Sequence, residues 1–175
     1  MKSGEYYLQF SVGVVNAIRR ALIMDIESWA PDTVFFEKNS SCQTDEYIAH
    51  RIGLIPFTKT GNGESMNLEV KGRTVRASDI VGSAFSIVSD TDIIEMNEEQ
   101  ELKLTINFKQ KKGSEHARYK MCAGVGMQIL NNNMYKLSFE TINDEEPDAV
   151  LKKAINTVQE KIDRALKDVG KLIES

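Results

Sequence analysis

From Leu151 to Leu172 the apolar residues Leu151, Ile155, Val158, Ile162, Ala165, Val169 and Leu172 step by 4, 3, 4, 3, 4 and 3 positions. A spacing that alternates four and three puts every member on one face of an α-helix. Ala154, Leu166 and Ile173 widen that stripe along one side. Pro147 suits a first turn, where its missing N–H has no partner to lose, so one long helix is predicted from about Pro147 to about Ile173. About 25 helical residues make a rod on the order of 38 Å long. A chain of 175 residues has limited surface with which to cover such a rod. Full burial of each large apolar side chain gains about 1.5–3 kcal/mol, so a wet stripe is a real loss. The stripe packs either on the chain's own sheet or on a partner's helix, and the pattern leaves both open.

The preceding segments are shorter and mixed. Glu5–Phe10 reads as a strand, and Ser11 as the cap of a helix from Val12 to about Glu27. In that helix Val14, Val15, Ile18, Ala21, Leu22 and Ile26 recur at helical spacing, with Asn16, Arg19 and Arg20 on or beside the opposite face. Trp29-Ala30-Pro31 is expected to end it, because the residue before proline avoids the α region. Asp32–Lys38 reads as a buried strand. Thr44 caps a second helix whose first turn holds Asp45 and Glu46, where the helix dipole favours anions, and Gly53 and Pro56 stop it.

Beyond it, Thr58–Glu64 reads as a turn, and Met66–Lys71, Thr74–Ala77, Phe85–Val88 and Asp92–Met96 as short strands. Glu101–Lys109 alternates strictly through Leu102, Leu104, Ile106 and Phe108, the mark of a strand wet on one face. Lys111–Lys120 is a basic loop, and 125–130 and 134–141 form a hairpin about Asn131–Asn133.

Composition excludes several classes of function. With 41% hydrophobic and 27% charged residues the chain is an ordinary globular protein. A net charge of −4 supplies no basic field for displacing counterions, so extensive direct DNA or RNA contact is not expected. Cys42 and Cys122 stand alone, which fits a reducing, intracellular compartment better than a disulfide framework. The N-terminal stretch has no apolar signal region, and no run approaches the roughly 18 apolar residues that span a bilayer.

Chemistry concentrates in DEYIAHRIGLIPF at 45–57. Glu46 and His50 share a helical face and could serve as an acid/base pair or as two metal ligands. A zinc site needs at least three coherent ligands, and the only other histidine, His116, lies in a distant loop. Carboxylates in a first turn ordinarily complement the helix dipole. No phosphate-binding glycine loop, nucleophile elbow or paired CxxC is present. A small intracellular enzyme using His50 and Glu46 stays open as the rival reading; no cofactor is expected.

Four stretches carry a resemblance. NAIRRALIMDIESWA at 16–30, EKNSSCQTDEYIAHRIGLIPF at 37–57, QELKLTINFKQKKGSEHARYKMCAGVGM at 100–127 and EEPDAVLKKAINTVQEKI at 145–162 run in one order. Together they resemble the α-like subunit of multisubunit RNA polymerases, in the branch of the third-largest eukaryotic subunit and its archaeal counterpart. The resemblance implies an α+β fold: a dimerisation domain at 1–38 and 128–175, interrupted by a mostly β insert domain at 39–127. It implies a non-catalytic subunit that pairs with a smaller α-like subunit and seats the second-largest and largest subunits.

Pairing is expected through Val14, Ile18 and Leu22 together with Leu151, Ile155, Val158, Ile162, Ala165, Val169 and Leu172. Docking of the large subunits is expected at Asn16, Arg19, Arg20, Asp45, Glu46, His50, Arg51 and Gly53. Arginine suits such desolvated, bidentate contacts. A homodimeric platform like bacterial α is the remaining alternative, and the DEYIAHRIGLIP run argues against it. Relatives often carry a cysteine-rich metal module in or after the insert; 58–73 here has no cysteine, so no metal site is carried over. The chain is also short against that pattern, which suits a reduced polymerase such as a viral one.

Overall fold

The computed structural model describes residues 2–131 and 133–173, the last two as backbone only. In chain order the elements are β1 (Lys2–Gln9), α1 (Val12–Met24), β2 (Glu27–Asn39), α2 (Asp45–Gly53), β3 (Phe57–Lys59), β4 (Ser65–Lys71) and β5 (Val75–Arg76). Then come β6 (Ile80–Val81), β7 (Phe85–Ile87), β8 (Asp92–Ile94), β9 (Glu101–Lys112), β10 (Cys122–Ile129), β11 (Met134–Thr141) and α3 (Pro147–Ile173). The fold class is α+β, with antiparallel sheets and three helices. The chain forms two compact units, Met1–Ser28 with Lys112–Ser175, and Trp29–Lys111.

The first unit is a three-stranded sheet in the order β1-β11-β10 with α1 and α3 packed on it. β1 runs antiparallel to β11 from Lys2 opposite Thr141 to Gln9 opposite Met134. Strict alternation on β11 turns Tyr135, Leu137, Phe139 and Thr141 inward. Ile18, Ala21 and Leu22 of α1 and Val150, Leu151 and Ala154 of α3 close the core over them. The start of α3 lies close to β1, because a Cβ on Gly4 would come within 2.8 Å of the Pro147 ring. Tyr6 stacks on Phe139 at 5.7 Å and its hydroxyl donates to Asp148 at 2.5 Å, tying the first turn of α3 to the sheet.

The second unit holds the sheet β2-β9-β4-β6, two small ribbons β3-β7 and β5-β8, and α2. Its core is closed. Phe85 stacks on Phe108 at 4.0 Å, Phe57 meets Phe108 edge-on at 4.9 Å, and Ile48 and Ile52 of α2 are fully buried against the same cluster.

Several sequence expectations shift. Helix α1 ends at Met24 instead of near Glu27, and Trp29-Ala30-Pro31 lies inside β2. Extended geometry is what a pre-proline residue prefers, so the proline fits the strand that replaces the helix end. Ser11 makes no side-chain cap; its carbonyl accepts from Val14 and Val15 at 3.1 and 3.2 Å. Thr44 does cap α2, its hydroxyl accepting from the Tyr47 amide at 3.4 Å. Thr58 and Lys59 pair as β3. β9 continues to Lys112, and the basic loop contains a 3-10 turn at Ala117–Tyr119 with Tyr119 buried.

The hairpin turn is left-handed at Asn133 (φ 61°), while Asn132 lies outside the described residues. Segments 29–38 and 112–127 fall on the opposite side of the division from the expected domains. Trp29, Val34 and Phe36 pack on the second core, and β10 hydrogen-bonds into the first sheet.

Candidate functional site

Along α3 the apolar stripe changes surroundings. Val150, Leu151 and Ala154 are buried, Val158 is half-buried, and from Lys161 onward the described side chains are open to solvent. Ile162 is 51% exposed, Leu166 65% and Val169 52%. Ile155 and Ala165 are exposed as well. Leu172 is helical, but its side chain lies outside the described residues.

The exposed stripe borders a groove of about 460 Å³ between α1 and α3. Val14, Ala17 and Met24 line it from one helix and Val158, Ile162 and Ala165 from the other. Two ions at its wall neutralise each other, Lys161 meeting Asp25 at 2.7 Å. Arg20 also lines it.

Of the pairing residues expected from sequence, Val14, Val158, Ile162 and Ala165 are therefore brought together on one groove. Ile18, Leu22 and Leu151 are not on it. They are spent on the unit's own core, because their stripe faces β11. Periodicity marks the apolar residues of α1 but not a second stripe, Phe10, Val14, Ala17 and Met24, also at three- and four-residue steps. Phe10 and Val12 are exposed beside it.

Helix α2 presents a polar face. Its cap orients the first turn, and Ile48 and Ile52 anchor it, leaving Asp45, Glu46, Tyr47, His50 and Arg51 exposed. Asp45 accepts from the Asn39 amide at 2.7 Å. Arg51 donates to the Tyr47 hydroxyl at 3.2 Å and to the Asp92 carbonyl at 2.7 Å, so its guanidinium is held in place within the unit. Gly53 is buried at the helix end and offers no side chain, a correction to its expected docking role. In the other unit Arg19 donates from Nε and Nη2 to the Asn16 carbonyl oxygen at 3.1 and 2.9 Å, and both side chains are half-buried.

Glu46 and His50 sit in the open, where water competes for any proton they would move. Among the described residues no three His, Cys, Asp or Glu side chains converge on a point. Burial, with Glu145 adding to it, pushes the Cys122 thiol up to about 12, so it stays protonated in the core. No described helix is long and apolar enough to cross a membrane.

The fold and site define a class: an α+β chain with one closed β-rich unit and one unit whose helices carry an uncovered apolar groove. No protein-family model matches the chain. Curated proteins do. It is 26% identical over 170 residues to DNA-directed RNA polymerase subunit Rpo3 of Methanocaldococcus jannaschii, covering 94% of this chain and 88% of that protein. It is 32% identical over 124 residues to Rpo3 of Halobacterium salinarum, covering 66% of this chain and 50% of the relative. With subunit 3 of the RNA polymerases II, IV and V of Arabidopsis thaliana it shares 29% over 182 residues, 77% of this chain and 56% of that one. The chain thus spans between half and most of the length of these relatives. It is homologous to archaeal and eukaryotic RNA polymerase subunit 3.

Proposed function

We propose that the chain is the α-like, non-catalytic assembly subunit of an intracellular multisubunit DNA-directed RNA polymerase. It pairs with a smaller α-like subunit through α1 and α3, and it docks the two large catalytic subunits through α2 and the Asn16–Arg19 edge of α1. One observation carries this reading: the a/d stripe runs uncovered past Val158 beside an open apolar groove. Obligate interfaces resemble a core cut in half, which is how the first unit looks from that side. The chain binds no metal or cofactor of its own, and its acidic balance leaves nucleic acid to its partners.

Affinity purification of the tagged full chain from its native host, followed by mass spectrometry, tests the reading. Recovery of two large polymerase subunits and one small α-like chain in fixed stoichiometry is expected. A tagged chain that elutes without polymerase subunits overturns it.

A further inference from the structure

We propose that Arg20 selects the pairing partner: the helix that fills the α1–α3 groove carries a carboxylate that meets this guanidinium. The proposal rests on the pairing reading above. Three charged residues line the groove, and Lys161 and Asp25 neutralise each other at 2.7 Å. Arg20 is left, with no ion pair or hydrogen bond among the described residues. It sits on a wall otherwise made of Val14, Ala17, Met24, Val158 and Ile162. While the groove is open, water solvates the guanidinium. Once an apolar helix fills it that water leaves, and an unpaired charge in such a place is costly.

The charge pattern also says what the occupant is not. A two-fold pair of identical chains sets a patch against itself. Helix α1 holds Arg19 and Arg20 and no acidic residue within Val12–Met24. Glu160 and Asp163 of α3 are not among the groove-lining residues, and Asp25 is already engaged. A second copy therefore brings positive charge to Arg20 and nothing to compensate it. The occupant is a helix of a different chain, apolar along the groove and acidic opposite Arg20. This takes Arg20 out of the set that docks the large subunits and makes it a specificity residue for pairing.

The test uses the full chain and three labelled amphipathic helical peptides with leucine at every a and d position. They differ only in carrying Glu, Gln or Lys at the positions flanking the central heptad. Fluorescence anisotropy is expected to rank them Glu, Gln, Lys, with roughly a hundred-fold between first and last at low salt and less at high salt. Arg20→Lys keeps the order, Arg20→Met abolishes the preference and Arg20→Glu inverts it. Equal binding of all three by the unmodified chain, or an unchanged order in Arg20→Met, overturns the role of Arg20 and leaves helix pairing standing. Binding of none of them overturns the pairing reading as well.

Discussion

The two halves of α3 carry one repeat and meet opposite surroundings. Upstream, Val150, Leu151 and Ala154 lie against Leu137 and Phe139, and the first turn is tied down through Tyr6 and Asp148. Downstream, Ile162, Leu166 and Val169 face solvent. The apolar spacing does not change between them; only the surface opposite does. Sheet β1-β11-β10 is three strands wide, and neighbouring strands lie about 4.8 Å apart, so it spans far less than a rod of about 40 Å. A periodic stripe therefore reports which face of a helix is apolar, and the breadth of what it packs on decides how much of that face is covered. The closed second unit shows the other outcome, every strand and helix of a short segment turned onto one core.

The largest expected effect breaks the downstream half alone. Ile162→Asp with Leu166→Asp puts two carboxylates into the stripe where both side chains are now exposed. In the isolated chain they stay hydrated, and the melting temperature should move little. In the assembled polymerase they would be desolvated without partners, at several kcal/mol each, and pairing should weaken by more than about a thousand-fold. Quantitative co-purification reads this directly. Normal assembly by the double variant would show that the downstream half faces nothing.

A smaller contrast compares the halves by stability. Leu151→Ala opens a cavity in a packed core and should cost the isolated chain about 2–3 kcal/mol, at the low end of the usual range because its edge is not sealed. Leu166→Ala removes an exposed side chain and should stay within about 0.5 kcal/mol. Urea unfolding of the two variants measures the difference. Equal losses would mean that both halves are covered in solution.

Much of this is legible in the sequence, and the misses have physical causes. The a/d repeat locates α3, and the Thr44 hydroxyl with two carboxylates after it locates α2, because caps and periodicity are local. The end of α1 is misplaced by spacing alone, because Ile26 continues the helical period while contributing to the core from outside the helix. Ile18 and Leu22 pass for partner contacts because one sequence cannot say whether an apolar stripe faces its own sheet or another chain. The stripe that does line the groove includes Ala17, too small to register as apolar patterning. Arg51 looks free in sequence because its acceptor, the Asp92 carbonyl, is 41 residues away.

The anchor of the upstream half can itself be tested. Tyr6→Phe removes the hydroxyl that donates to Asp148 and should cost about 1 kcal/mol. Burial and that carboxylate raise the Tyr6 phenol from its usual range to about 12. A group with a raised folded value contributes its stability fully below the unfolded value, near 10, and loses it as pH rises through the folded value. Phenolate absorbance should therefore show one tyrosine titrating last, near pH 12, and absent from Tyr6→Phe. A phenol that ionises near pH 10 would mean that the tie is not made in solution.

The smallest expected effect is none at all, and it closes off another cause for the contrast along α3. Cys122 lies in the core that seats the upstream half, with Glu145 close enough to raise its thiol. Were a metal ion held there, the firm seating of that half would come from coordination and not from packing. A metal requires thiolate, and a thiol pushed up to about 12 by burial does not supply one near neutral pH. Cys42 is exposed, and no third ligating side chain converges on either cysteine among the described residues. Treatment of the full chain with a strong chelator should leave its melting temperature within about 1 °C, since structural metal sites carry folding energy outright and their loss is large. Elemental analysis should find less than one metal per ten chains. One chelator-sensitive metal per chain, with a melting transition that falls when it is stripped, would assign the upstream anchoring to the ion.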